Sequence, residues 1–229
     1  MKTIRPILLI LLISVLGTLN LSAQNDFTKG LGIALKTSTN GFGGDLVFNF
    51  QKRLSMRLGF EQLALNRDFS FTEESVEYNG NVDYKTGSLS LLLDFYLFRH
   101  VFITGGAGLN MFQTVFDGKA ASGLQFGDIM IPQEKIGTFN FQVDPSSKIS
   151  PYAGIGFGRT LGLKKKVGFA FELGGFYQGP PQLTIASTGL LSPTSNPDQD
   201  HEARLEKQIS QYTIYPVLKF SISYRIVGF

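Results

Sequence analysis

Residues 211–229, QYTIYPVLKFSISYRIVGF, alternate along their whole length. Tyr212, Ile214, Pro216, Leu218, Phe220, Ile222, Tyr224 and Ile226 share one parity, and Lys219, Ser221, Ser223 and Arg225 share the other. A period of two is that of a β-strand, whose successive side chains point to opposite faces. One face of this segment must meet an apolar medium, and the other must find partners for buried charge or meet water.

The same period recurs upstream. Residues 27–37 put Leu31, Ile33 and Leu35 opposite Gly30, Gly32 and Ala34, and Asn40-Gly41 then supplies hairpin chemistry. Residues 42–51 set Leu46, Phe48 and Phe50 against Asp45 and Asn49; residues 54–69 set Met56, Leu58 and Phe60 against Ser55, Arg57, Gly59 and Glu61. Near Leu63 and Leu65 the pattern fails, as at a bulge or where a strand leaves an apolar medium. Residues 82–98, 101–116, 149–161 and 167–186 continue the series, and with 211–229 they predict about eight strands, the smallest even number usual for a one-chain membrane barrel. Short turns at Lys52, Arg99 and Lys164 alternate with long polar connections at residues 70–81, 117–148 and 187–208. The middle connection has short apolar pieces suited to a hairpin of its own.

Charge decides what the apolar face meets. A soluble barrel turns its apolar parity inward and its charges to water. Here charged residues are only 17% of the chain, and Asp45, Arg57, Glu61, Asp94, Glu172, Lys219 and Arg225 all oppose the apolar parity. A charge facing lipid near the midplane costs about 2–4 kcal/mol, so in a membrane these side chains point inward. Lipid offers no water to strand N–H and C=O groups, so the sheet must close, with residues 211–229 pairing to the first strand. The expected fold is all-β: an eight-stranded antiparallel up-and-down transmembrane β-barrel over residues 24–229. Measured from the short turns, six of the charges stand at similar heights, which predicts an interior ion-pair layer with Arg57 and Lys219 among four carboxylates and Arg225 lower down. Its expected role is structural, a plug.

Residues 1–23 hold Lys2 and Arg5, an apolar run from Ile7 to Leu16, and small Ser22 and Ala23 before Gln24, the three parts of a cleaved secretory signal peptide. The run is well short of the roughly 20 residues of a spanning helix. Two of the positive charges behind the net +3 belong to this leader, and no basic stripe remains, so no nucleic-acid partner is expected. Cysteine is absent, which excludes disulfides, thiolate metal sites and a lipidated N-terminal Cys; tryptophan is absent too, leaving Phe and Tyr for an interfacial belt.

Three features bear on function. Gly106, Gly108, Gly154, Gly156, Gly158, Gly168, Ala170 and Gly174 leave inward space, which either Tyr96, Phe176 or Tyr215 fills or a ligand occupies. Pro151, Pro180, Pro181 and Pro216 each remove a ladder donor in the outer halves of the last three strands, as simple bends or as a lateral opening for a small hydrophobic molecule. His100 and His201, the latter near Asp198, Asp200 and Glu202, come with no nucleophile arrangement, and the acidic loop reads as solvated. No catalytic, cofactor or metal site is expected.

The segments PYAGIGFG (Pro151 to Gly158) and ELGGFYQGP (Glu172 to Pro180) resemble those of a subgroup of small eight-stranded outer-membrane β-barrels of Gram-negative bacteria, the OmpA/OmpX/OmpW-like group, and the resemblance covers the chain beyond the leader. The leucine tract leading to Ala-Gln resembles signal peptides of the Bacteroidota. The resemblance implies a monomer in the outer membrane, in contact with its lipid and lipopolysaccharide and inserted by the barrel-assembly machinery. That group includes adhesins, structural anchors, small-solute conduits and a few lipid-modifying enzymes. The expected role is structural or surface interaction, with a conduit or binding site for small hydrophobic molecules as the alternative and a lipid-modifying enzyme as the third reading. One detail departs from the group: Phe229 shares parity with Lys219 and Arg225, so Tyr224-Arg225-Ile226 is expected to be the terminal signature and Val227-Gly228-Phe229 an extension.

Overall fold

Every strand N–H and C=O needs a partner from another segment, and here the alternating segments supply one another. The computed structural model describes residues 29–73, 76–126, 129–163, 165–195, 204 and 207–229. The expected leader lies outside these residues, as do His201, Asp198, Asp200 and Glu202. In chain order the strands are β1 (Gly30–Ser38), β2 (Gly41–Gln51), β3 (Leu54–Glu73), β4 (Val76–Tyr96), β5 (Val101–Asn110), β6 (Gln113–Ala120), β7 (Leu124–Phe126), β8 (Ile129–Ile131) and β9 (Thr138–Pro145). They continue with β10 (Ile149–Gly158), β11 (Val167–Tyr177), β12 (Pro181–Ser187) and β13 (Ile214–Gly228). A one-turn helix, α1 (Gln133–Ile136), precedes β9, and a 3-10 helix, Gly189–Ser195, follows β12.

Antiparallel pairings run β1–β2–β3–β4–β5–β10–β11–β13, and β13 returns to β1 from Gly30↔Gly228 to Ser38↔Lys219, so the circuit has no free edge. Even residues of β1 and β4 and odd residues of β2, β3 and β13 point into this ring and are mostly buried. The opposite parity, including Leu35, Leu46, Leu91, Ile155, Phe169 and Ile222, is exposed on the outer face.

The long strands outrun the ring. β4 pairs with β5 through residues 88–96 and with β6 through residues 78–85; β9 then pairs with β6, and β12 with β9. The result is an extension of β3, β4, β6, β9 and β12 standing beyond the long-loop end of the ring. Two sequence expectations change here. Residues 70–81 are not a polar connection, because β3 and β4 stay paired to Glu73↔Val76. Ser70, Thr72, Asn79 and Asn81 are one face of a two-faced ribbon, with Phe69, Phe71 and Tyr78 on the other. Residues 101–116 and 167–186 are each split, the second at Gly179, whose φ of 73° is open to glycine at little cost. Residues 117–148 do hold a hairpin, β7 with β8, but β6 and β9 within them join the main sheet.

The chain end is settled by one extra residue. Between Leu31↔Val227 and Gly32↔Arg225 the register shifts, leaving Ile226 unpaired in a bulge. A one-residue shift exchanges faces. Arg225 therefore points inward while Phe229, whose N–H donates to the Lys29 carbonyl, lies on the outer face and stacks on Phe48 at 5.9 Å between centroids. The expectation that Val227-Gly228-Phe229 is a mere extension is corrected accordingly. No bulge explains Leu63 and Leu65, because the β3–β4 register is continuous there.

Candidate functional site

Counting upward from the short-turn end, the inside of the ring is closed in layers. Gly158, at φ 105°, breaks the outward parity of Ile155 and Phe157 and turns the following residues under the ring. Leu161 then packs, fully buried, against Ala34 and Val47. Arg159 lies 3.9 Å from the Tyr96 ring centroid and donates to the carbonyls of Lys52 and Arg99, both at 2.9 Å, so one side chain ties together the two neighbouring short turns. The Thr160 N–H donates to the Tyr96 hydroxyl at 3.0 Å, and Arg225 donates to the Gly162 carbonyl. This cork is not apparent in the sequence, where residues 149–161 read as one strand and only residues 163–166 as a short basic turn; the strand instead ends at Gly158, and the glycine that redirects the chain is the cork's one signal.

Above the cork stands the charge layer. Register sets it: Glu172 pairs with Lys219, Gly59 with Asp45, and Ser55 with Asp94 across adjacent strands. Arg57 is its centre, with Nη2 at 2.7 Å from Asp94 Oδ1 and 2.5 Å from Glu172 Oε2, and Nη1 at 3.9 Å from Asp45 Oδ2. Glu61, fully buried, accepts from Ser38, Asn40 and Ser88 at 2.9–3.1 Å and has Lys219 and Lys36 each 3.7 Å away. The Lys219 ammonium has no hydrogen-bond partner among the described residues and sits 4.2 Å from the Tyr152 ring centroid. Thr104 donates to Asp94, and Tyr152 to Glu172. Charges taken out of water are costly unless paired and hydrogen bonded, and here hydroxyl and amide donors serve the lone pairs that cations leave.

Of the seven expected charges, six fall in this layer, while Arg225 contacts the cork. The sequence reading missed Lys36, the closest partner of Asp45 at 2.6 Å. It shares parity with Gly30, Gly32 and Ala34, and that parity was its signal.

The inward glycines do not border an open cavity. The Phe102 ring fills the space a side chain at Gly156 would need, the Tyr152 phenol does so at Gly174, Phe176 at Gly108, and Leu92 together with backbone at Gly106; Gly154 lies against the β11 backbone and Tyr152. Leu92, Tyr152, Phe176 and Val217 form an apolar cluster over the charges, with Tyr215 packed against it. Higher still, Tyr84, Phe112 and Tyr215 meet, the two tyrosine hydroxyls 3.2 Å apart and the rings 5.9–6.0 Å from Phe112.

Nor do the prolines open the wall between β11 and β13. That ladder is continuous from Val167↔Tyr224 to Tyr177↔Ile214. Pro216 lies beyond the last β1–β13 pair, where its carbonyl accepts from the Thr39 hydroxyl at 3.4 Å. Pro151 lies one residue past the first β10–β11 pair, and Pro180 and Pro181 mark the break before β12. Pro151 and Pro216 each lie beyond the end of one of their two ladders while staying paired in the other, opposite Ala107 and Gly175, so neither interrupts the wall.

On the extension the two faces change character. The parity that is apolar and outward on the ring becomes Asn66, Asp68, Asn79, Asn81, Asp83 and Lys85. The parity that is inward becomes Phe69, Phe71, Tyr78, Phe116, Phe139 and Phe141. These rings line a cleft of about 570 Å³, to which Leu191 and Ile209 also contribute.

No protein-family model matches the chain, and no curated protein matches it. Among solved structures it is similar to Acinetobacter baumannii CarO at 18% identity, covering 86% of this chain and 98% of that one with a TM-score of 0.55. It is similar to CarO2 of the same organism at 17% identity, covering 88% and 100% with a TM-score of 0.56. A looser likeness, at 13% identity and a TM-score of 0.40, is to a major outer membrane protein from Thermus thermophilus, covering 86% and 99%. At these identities, what the chain shares with the CarO proteins is their fold.

Proposed function

We propose that the chain is a monomeric outer-membrane protein: an eight-stranded up-and-down β-barrel, sealed against the passage of water and ions, that holds a binding surface above the bilayer and does no chemistry of its own. The carrying observation is the ring itself, apolar outside and ion-paired inside. In this reading the ring sits in lipid, the short turns face the periplasm, and the extension, polar on its outer face, stands outside the cell. Passage of an apolar molecule along the barrel axis is disfavoured because its path crosses Arg57, Glu61 and Lys219.

Two measurements test this. The protein in planar bilayers is expected to give no steady conductance, and a stable open level in the unaltered chain would overturn the seal. Single cysteines placed by Asn81→Cys and Lys165→Cys, in a chain with no cysteine of its own, are expected to react with an impermeant maleimide on intact cells at position 81 only. Labelling at 165 alone would invert the orientation.

A further inference from the structure

We propose that the cleft on the inner face of the extension is a binding site for a neutral, ring-bearing apolar small molecule; this rests on the reading that the extension stands outside the bilayer. Its floor includes a cross-strand residue pair that lacks side chains. Gly80 of β4 pairs with Gly118 of β6, and the rings of Phe69 and Phe139 lie where their Cβ atoms would be. Phe69, Phe71 and Tyr78 follow as near-parallel rings, 13° between successive planes at centroid spacings of 6.0 and 5.1 Å, and Phe139 meets Phe71 and Tyr78 at 6.5 and 6.4 Å. The rings are only partly buried, and Phe71 remains 41% exposed. A contiguous apolar concavity of this kind on an otherwise polar element marks a ligand groove.

The lining chooses among occupants. About 570 Å³ lies within the range of roughly 300–1,000 Å³ typical of small-ligand pockets. Leu191, from the 3-10 helix, and Ile209 add walls to it from outside the strands. Among the described residues no Lys, Arg or His lines it, so a carboxylate or phosphate would find no partner in that lining, which favours a neutral ligand over a fatty acid or a lipid headgroup. Aromatic rings take another ring in offset or edge-on contact, a geometry that a saturated chain does not use. Among the described residues the Tyr78 hydroxyl is the sole polar side-chain group of the lining, so the ligand carries little hydrogen-bonding capacity. Tyr84, Phe112 and Tyr215, in mutual contact, stand between the cleft and the charge layer, and in this proposal the cleft holds its ligand without passing it on.

The test uses the full protein in lipid nanodiscs titrated with N-phenyl-1-naphthylamine, a neutral two-ring probe whose emission rises in apolar surroundings, against empty nanodiscs. A saturable component is expected, weakened about tenfold by Phe139→Ala. Should that variant lose its heat-modifiable folded band, Val143→Phe, which narrows the cleft while keeping its packing, is expected to weaken the probe instead. Decanol is expected to compete poorly; equal competition would overturn the preference for rings. Absence of a saturable component, or equal binding by wild type and both variants, would overturn the site. Nanodiscs made with brominated acyl chains separate the two failures: quenching of the saturable signal places the cleft in the bilayer and defeats the reading of location, whereas an unquenched but non-saturable signal defeats only the site.

Discussion

β3 and β4 each pass through two regions that read their side chains in opposite ways. In the ring, Leu58 and Phe60 face outward while Arg57 and Glu61 face inward; along the same strands, in unbroken register, Asp68 and Asn81 then continue the outward parity and Phe69 and Tyr78 the inward one. Backbone geometry is the same in both, so it cannot be what assigns polarity to a face. The surroundings do. In the proposed placement, lipid outside the ring demands an apolar exterior and forces the charges to pair within it, whereas water outside the extension accepts amides and carboxylates and drives the rings to the sheltered side.

The sharpest way to break this comparison is to remove a charge from each region. Arg57→Met leaves Asp94 and Glu172 buried without their cation and is expected to cost about 3–5 kcal/mol. Arg67→Met, on the same parity but exposed in the extension, is expected to stay within about 0.5 kcal/mol. Urea midpoints in lipid vesicles check both, and a similar loss for the two would mean that the layer is no more buried than the extension.

Adding a charge to the outward parity probes the boundary. Leu91→Lys is expected to cost about 2–4 kcal/mol near the bilayer midplane, and Asn81→Lys, ten residues earlier on the same parity of β4, close to nothing. Equal costs in the same vesicle assay would move the boundary or remove it.

Packing should separate the two faces of the ring by a smaller margin. Gly156→Ala pushes its methyl into the Phe102 ring and is expected to cost about 1–3 kcal/mol. Gly105→Ala points into open space on the outer face and is expected to be neutral. A neutral Gly156→Ala would show room that the ring does not have in this structure. The smallest effect is expected at the chain end, where Phe229→Ala removes the stack on Phe48, about 0.5–1.5 kcal/mol. An unchanged midpoint there would mean that the stack adds nothing to the closing seam.

Much of the fold can be read from alternation because a period of two leaves few alternatives, and the all-β, antiparallel character follows from it directly. Strand ends were less legible. Thr72, Asn79 and Asn81 look like loop residues until their cross-strand partners are known, and nothing local distinguishes a polar loop from the wet face of a ribbon. The site divides similarly. Asp45, Arg57, Glu61, Asp94, Glu172 and Lys219 stand out because charge on an otherwise small, polar parity is conspicuous, whereas Lys36 lies close to a turn and reads as a solvated end. The small inward residues could be recognised as room, but not what fills it, since Tyr152 and Phe102 reach Gly174 and Gly156 from neighbouring strands.

The sequence by itself determined which residues share a face, because parity is a local property of the backbone. Tertiary structure alone decided which face each parity meets and where parity is reset. Ile226 bulges only because β1 is there to be paired against, and that single unpaired residue turns Phe229 outward although it shares sequence parity with the inward Arg225. Gly158 likewise turns Leu161 under the ring only because Ala34 and Val47 on other strands receive it and Tyr96 and the turns at Lys52 and Arg99 hold residues 159 and 160. Pairing partners far apart in sequence fix these choices, and a one-residue shift in pairing reverses every side chain that follows.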